Sequence, residues 1–63
     1  MSNKEFLVAD EVAEIMRTSK GAAYKIMRNL NRELEGKGYI TIRGRINREY
    51  FEKRTIYKQN LHQ

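Results

Sequence analysis

Basic and apolar side chains alternate through residues 17–32, RTSKGAAYKIMRNLNR, so that neither kind forms a run. Lysine and arginine donate hydrogen bonds to phosphate oxygens and to the acceptor atoms of guanine, which makes them the usual groups for binding polyanions. In an α-helix, which turns by about 100° per residue, Lys25, Arg28 and Arg32 fall within about 60° of one another. The segment therefore predicts a helix with one cationic face.

The opposite face of the same helix is apolar. Its side chains recur at the spacing i, i+3, i+4, i+7 and i+11, within an arc of about 100°, and they are Ala23, Ile26, Met27, Leu30 and Leu34. Such a stripe must be buried against another part of the chain. The alternative interpretation is a packed helix whose charged outer face is merely solvated, as most such faces are.

Charge is distributed unevenly along the chain, and this distribution favours a ligand over a merely solvated face. Residues 1–14 hold one lysine against four carboxylates, whereas residues 15–54 hold eleven basic side chains against four glutamates. The formal net charge is +5. An acidic end beside a basic body favours a polyanionic partner that binds in one orientation. Double-stranded DNA fits better than a membrane surface, because the basic helix offers no exposed Trp or Phe for insertion into lipid. An acidic protein remains an alternative partner.

The short length and the composition exclude several classes of function. A chain of 63 residues and 7.5 kDa is near the lower limit for independent folding, so we expect one domain over residues 1–63, with a core at 6–54 and a tail at 55–63. The chain has no cysteine and one histidine, His62. Glu33 and Glu35, two residues apart on a helix, point apart. We therefore expect no enzyme, no catalytic residue, no metal and no cofactor.

No apolar stretch approaches the roughly 18 residues of a membrane span, and the first residues lack a hydrophobic signal segment. These two observations lead us to expect an intracellular protein of the cytoplasm.

Hydrophobic spacing predicts two helices separated by a short turn. Val8, Val12, Ile15 and Met16 repeat at helical spacing, which predicts a first helix over residues 9–16. After the turn 17–19, Ser19 is a good N-cap for a second helix from Lys20 to about Glu35, which Gly36-Lys37-Gly38 would end. Two helices joined by a three-residue turn form a helix-turn-helix unit.

A change to period two after Gly38 predicts a small β-hairpin. Residues 39–42 are aromatic or β-branched, Arg43-Gly44-Arg45 can reverse the chain, and Ile46 begins a return strand. Asn47 can cap a last helix over residues 48–54, in which Phe51 packs on the core. The predicted fold is mostly α-helical with a small β-hairpin wing, that is, a winged helix-turn-helix.

These segments resemble the winged helix-turn-helix of the MerR-like and excisionase families. The resemblance lies in FLVADEVAEIM, RTS and KGAAYKIMR, followed by ITIRGRINREYFEK, and it extends over residues 6–54. The sequence most strongly resembles the small excisionases, or recombination directionality factors, of bacterial integrative and conjugative elements and prophages. The family often has glycine where Arg17 stands, an aliphatic residue where Thr18 stands, and proline where Asn47 stands.

The resemblance implies which side chains contact DNA, because the second helix of such a unit lies in the major groove with its N-terminal residues toward the bases. We expect Asp10 and Glu14 on the first helix to face away from DNA. The major-groove residues would be Ser19, Lys20, Gly21, Tyr24, Lys25 and Arg28; the backbone contacts Arg17, Thr18 and Arg32; and the wing or minor-groove contacts Arg43, Gly44 and Arg45.

Some of these assignments have alternatives. Gly21 can serve close approach to DNA or tight packing against the first helix, and Tyr24 can contact the groove or be half-buried structure. Lys25 and Arg28 can donate to guanine or to phosphate. The wing arginines are otherwise simply solvated.

The resemblance implies an excisionase that binds near an attachment site, bends DNA and directs the integrase of a mobile element toward excision, with cooperative self-association on DNA. A small transcriptional regulator of a mobile element or phage is the alternative function. A third hypothesis is a protein-interaction module that docks on an acidic protein, which would bind duplex DNA weakly at every sequence.

Overall fold

Two amphipathic helices and a two-stranded antiparallel sheet form most of residues 5–57, the part of the chain that the computed structural model describes. The side chains of Ile56 and Tyr57 and all of residues 58–63, which include His62, lie outside this description, so the expectations for the tail are untested. In chain order the elements are β1 (Phe6–Val8), α1 (Ala9–Met16), α2 (Lys20–Gly36), β2 (Arg45–Asn47), α3 (Arg48–Glu52) and a π-helical segment (Lys53–Tyr57).

Helix α1 has the predicted bounds, and its ends are satisfied locally. Glu11 accepts the backbone N–H of Val8 at 3.0 Å, and the acidic first turn suits the positive end of the helix dipole. The helix ends because Arg17 adopts the left-handed conformation (φ 55°, ψ 51°). That conformation costs a residue with a Cβ about 1–2 kcal/mol, so glycine would adopt it with less strain than Arg17 does. Ile15, one of the residues whose spacing predicted this helix, is 49% exposed.

Helix α2 also begins where predicted and ends one residue later. The Ser19 hydroxyl oxygen accepts the backbone N–H of Ala22 at 3.1 Å, which confirms the predicted cap. At the other end, the N–H groups of Gly38 and Tyr39 donate to the carbonyls of Glu35 and Leu34, both at 3.0 Å. Gly38 has φ +94°, a conformation that glycine adopts without strain.

One cluster of apolar side chains joins both strands and the three α-helices. Val12, Ile46 and Phe51 are fully buried in it, and α1 packs on α2 through it. The predicted stripe of α2 contributes Ala23, Met27 and Leu30 as buried residues, with Ile26 and Leu34 packed at the edge. The predicted division of α2 into a buried and an exposed face is therefore confirmed.

The sheet forms between different segments from those predicted. β2 pairs with β1, and Leu7 stands directly opposite Ile46. Both of these side chains are buried, at 4% and 0% exposed, whereas Ile40 is 97% exposed. Residues 39–42 are not a strand, because pairing through Leu7 supplies the core contact beside Ile46 that they would have supplied. The fold class is confirmed, but the first strand is Phe6–Val8.

The predicted last helix divides into two conformations. Asn47 caps α3 as expected, its side-chain oxygen accepting the N–H of Tyr50 at 2.8 Å, and Phe51 is buried as expected. The α-helix stops at Glu52 rather than residue 54, and a π-helical segment follows. Within that segment the Thr55 hydroxyl donates to the carbonyl of Phe51 at 2.7 Å, a side-chain bond that competes with the regular helical one.

A charged cluster centred on Glu33 attaches this C-terminal segment to α2. Arg54 donates to both carboxylate oxygens of Glu33, at 2.8 and 2.7 Å, and the Tyr50 hydroxyl donates to one of them at 2.7 Å. Lys37 lies 5.3 Å above the centre of the Tyr50 ring. Hydrogen bonds from Arg54 and then from Tyr50 lower the pKa of Glu33 from 4.5 to about 2.

The lowered pKa of Glu33 makes the stability of the fold depend on pH. Because the unfolded chain binds this proton more readily, the ionised cluster stabilises the fold fully above about pH 4.5, and the stabilisation is lost as the pH falls toward 2. We expect Glu33→Gln to be less stable than the unsubstituted protein near pH 7, with a difference that shrinks between pH 4.5 and 2. Urea unfolding of both proteins at a series of pH values measures this difference in stability.

The exposed Glu14→Gln is the matched control for this prediction, since it removes the same charge and Glu14 forms no ion pair within residues 5–57. The free energy of unfolding of Glu14→Gln should stay close to that of the unsubstituted protein at every pH. A Glu33→Gln difference that is the same at pH 7 and pH 2 contradicts the prediction.

Within residues 5–57, no helix is both long and apolar enough to cross a membrane.

Candidate nucleic-acid interface

Burial of the apolar stripe of α2 leaves three cations on its outer face. Lys25, Arg28 and Arg32 are all exposed, and within residues 5–57 none of the three forms an ion pair. We call this set the cationic ridge. No carboxylate of residues 5–57 forms an ion pair with these cations, so they are available to an external anion.

The N-terminal end of α2 is open to an approaching molecule. Ser19, Lys20, Gly21 and Tyr24 are all exposed, with Tyr24 at 45%. A Cβ added at Gly21 would meet no atom within 4 Å, so the packing of α1 on α2 does not require glycine there. The interpretation that Gly21 serves tight packing against α1 is therefore wrong. The small residue leaves the helix backbone accessible from outside.

One residue of this surface is paired within the chain. The Nζ atom of Lys20 lies 3.2 Å from Oδ1 of Asp10, and both side chains are exposed. The hydrogen bond that Lys20 donates to the Asp10 carboxylate raises the pKa of Lys20. The expectation that Asp10 faces away from the recognition surface is therefore wrong: as a residue of the first turn of α1, it lies beside the start of α2. Glu14 is exposed on the following turn.

The loop between α2 and β2, residues 37–44, takes the place of the predicted hairpin, and we call it the wing loop. Its tip is a turn in which the N–H of Arg45 donates to the carbonyl of Ile42 at 3.0 Å. Gly44 has φ +78° in that turn, which confirms that Arg43-Gly44-Arg45 reverses the chain. Arg43 and Arg45 are both exposed.

A groove runs between α2 and the wing loop. It brings together five of the predicted site residues, namely Tyr24, Arg28, Arg32, Arg43 and Gly44. Asn31, Glu35 and Thr41 also line it, and sequence reasoning did not select them. Their signal was present for α2, since positions 28, 31, 32 and 35 share one face of a helix.

The remaining predicted residues lie outside this groove. Arg45 lines the neighbouring surface beside Phe6 and Val8 of β1. Arg17 and Thr18 are exposed in the turn between α1 and α2, where the left-handed conformation of Arg17 directs the chain into the second helix. Arg43 and Arg45 thus flank the wing tip on two different surfaces.

A second groove includes residues of the wing loop and of β1 in its lining. Its exposed apolar side chains are those of Phe6, Tyr39, Ile40 and Ile42. Lys37 and Lys53 lie beside them. No metal cluster of three His, Cys, Asp or Glu side chains occurs among residues 5–57.

The sequence is similar to a known protein over most of its length. It is 35% identical over 54 residues to the ICEBs1 excisionase of Bacillus subtilis (strain 168), a match that covers 86% of this chain and 84% of that protein. No protein-family model matches the chain, and no solved structure matches it with significance. The chain belongs to the excisionase family of integrative and conjugative elements, whose members are non-enzymatic, DNA-binding accessory proteins of recombination.

Proposed function

We propose that this protein is a sequence-specific, double-stranded DNA-binding excisionase, which binds near an attachment site, bends the DNA and directs an integrase toward excision of a mobile element. The observation that carries the proposal is the cationic ridge, whose three cations are exposed and unpaired within residues 5–57. Kinship with an excisionase supports the proposal independently. A ridge of this kind lowers the free energy of a nearby phosphate backbone and releases its counterions.

The proposed contacts follow the position of each side chain on α2. Lys25 and Arg28 lie in the first half of α2, where they donate to base edges or to the flanking phosphates. Arg32, two turns further along than Lys25, contacts a phosphate. Lys20 reaches DNA by exchanging its exposed ion pair with Asp10 for a phosphate, an exchange of low cost because surface pairs contribute little.

The turn and the wing supply the outer contacts. Arg17 and Thr18 contact the phosphate backbone beside the start of α2, while Ser19 and Tyr24 contact the walls of the major groove. Arg43, Gly44 and Arg45 enter or straddle the adjacent minor groove, a mode of binding that accompanies DNA bending. The protein acts in the bacterial cytoplasm, and the chemistry of recombination belongs to the integrase rather than to this protein.

Cooperative binding of neighbouring copies completes the proposal. A domain of 63 residues makes few contacts with a duplex, so adjacent copies on adjacent sites raise affinity and specificity through their high local concentration. Contact with the integrase then places the bent DNA in the recombination complex.

Footprinting of the purified protein on the two ends of its own mobile element, with and without the integrase, tests this function. We expect protection of a discrete site beside an attachment site and stimulation of integrase-dependent excision. Complexes with circularly permuted fragments should migrate most slowly when the site is at the centre of the fragment, which reports a bend. Protection of a promoter without any effect on excision would instead identify the protein as a transcriptional regulator. Equal, weak binding to every duplex would contradict both functions.

A further inference from the structure

Two side chains of α2 hold the wing loop and its end against the helix. The side-chain Nδ2 of Asn31 donates to the carbonyl of Arg45 at 2.8 Å, and the Thr41 hydroxyl donates to Oε2 of Glu35 at 2.5 Å. Asn31 and Glu35 are four residues apart, so they lie on one face of α2, one turn from each other. The helix therefore contacts the middle of the loop and the residue that follows it.

The rest of the loop has few other connections to the fold. The pairing of β1 with β2 includes only Arg45–Asn47, and residues 39–42 form no strand. Between residues 39 and 44, the described hydrogen bonds to α2 are that of Thr41 and the backbone bond from Tyr39 to Leu34. Tyr39 and Ile40 have large exposed fractions, 63% and 97%, so burial does not anchor this stretch. A wing without a strand ladder depends on its side-chain bonds for position.

Charge repulsion between α2 and the wing loop is a further reason for such bonds in the absence of DNA. Arg28 and Arg32 of α2 line the same groove as Arg43 of the wing loop, and like charges on its two sides repel each other. Glu35 is the carboxylate that lines this groove. Its bond to Thr41 places a negative charge among the three arginines as well as holding the loop.

We propose that Asn31 and Glu35 are positioning residues for DNA binding: they hold the wing loop beside α2, so that Arg43 and the cationic ridge meet one duplex together. This inference rests on the proposed function. Neither residue needs to contact DNA. Their effect on affinity passes through the wing arginines.

A double-mutant cycle tests this positioning. Thr41→Val removes the hydroxyl at nearly constant shape, and Asn31→Ala removes the other donor. We expect each to weaken binding to the footprinted duplex about three- to tenfold, the value of one or two hydrogen bonds. In a protein that already carries Arg43→Ala and Arg45→Ala, the same changes should weaken binding less than about twofold, because the wing has nothing left to position.

Two further variants separate positioning from general damage. Thr41→Ser keeps the hydroxyl and should restore most of the affinity, and the exposed Asn29→Ala, two residues from Asn31 on the same helix, should bind as the unsubstituted protein does. Thermal unfolding of every variant establishes that it is folded at the temperature of the binding assay.

Equal losses in the presence and absence of the wing arginines would overturn the inference, since Thr41 or Asn31 would then act directly or through the whole fold. No loss in either protein would also overturn it. Failure of the proposed function is a different result: the unsubstituted protein itself would protect no site.

Discussion

Alanine at Lys25, Arg28 and Arg32 together is expected to weaken binding to the native DNA site by a factor of about 10² to 10³. A base-contacting arginine contributes about 1–3 kcal/mol and a phosphate contact less, so the ridge as a whole contributes about 3–4 kcal/mol. The fold should survive, because all three side chains are exposed and alanine favours a helix. Fluorescence anisotropy at one salt concentration measures the affinity, and thermal unfolding checks the fold.

The matched control removes three positive charges from elsewhere on the surface. Lys37, Arg48 and Lys53 are exposed, and they lie outside both the predicted site and the groove between α2 and the wing loop. Because Arg48 is paired with Glu52 and Lys37 lies over the Tyr50 ring, thermal unfolding checks the fold of this variant as well. Their combined replacement by alanine should weaken binding much less than loss of the ridge. Equal losses in the two triple variants would mean that net charge, rather than the ridge, governs binding.

Arg28→Ala alone distinguishes base contact from phosphate contact. If Arg28 contacts a base, affinity falls for the native site and changes little for unrelated duplexes, so specificity relaxes. A uniform loss on all sequences assigns Arg28 to the backbone.

Phe51→Ala is expected to abolish cooperative folding at 25 °C. Phe51 is 0% exposed and is the largest fully buried side chain in the described part of the chain, and truncation of such a residue costs about 3–5 kcal/mol. A core in a domain of this size supplies about the same amount, and with no cysteine in the chain no disulfide adds to it. Far-UV circular dichroism during urea unfolding measures the result.

Tyr39→Ala is the control for this prediction, because Tyr39 is an aromatic residue that is 63% exposed. Its removal should change the free energy of unfolding by less than about 0.5 kcal/mol. A cooperative transition in Phe51→Ala, within about 1 kcal/mol of the unsubstituted protein, would contradict the packing of α3 on the core.

Helix α2 was predictable from sequence because several local signals agree on it. The apolar period, the Ser19 cap and the left-handed Gly38 each act within a few residues of the helix. The cationic ridge follows from the same period, since burial of one face exposes the other. Asn47 and Phe51 were likewise correctly assigned, because a cap and a bulky apolar residue depend little on distant parts of the chain.

Strand β1 was not predictable in this way, because its partner is far along the chain. Phe6, Leu7 and Val8 form an apolar run too short to show a period, and their pairing with Arg45–Asn47 depends on the whole fold. The β-branched residues 39–42 have the propensity of a strand without a place in the sheet. Propensity alone does not decide between two candidate partners for Ile46.

Residues that act by positioning were also missed. Asn31 and Glu35 are polar residues on an exposed helix face, and their bonds to the wing loop connect positions 14 and 6 residues apart. The contact of Asp10 with Lys20 similarly depends on the angle between α1 and α2. Sequence spacing identified the charged groups of the site, whereas the contacts that hold them require the packed structure.

The salt dependence of binding to the native duplex tests the central claim, that an unpaired cationic surface on α2 and the wing binds DNA. If about five to seven phosphates are neutralised, a plot of log K against log [salt] has a slope of about −5 to −6. Loss of the cationic ridge should make that slope shallower by about two to three. A slope near zero for the unsubstituted protein would contradict the account.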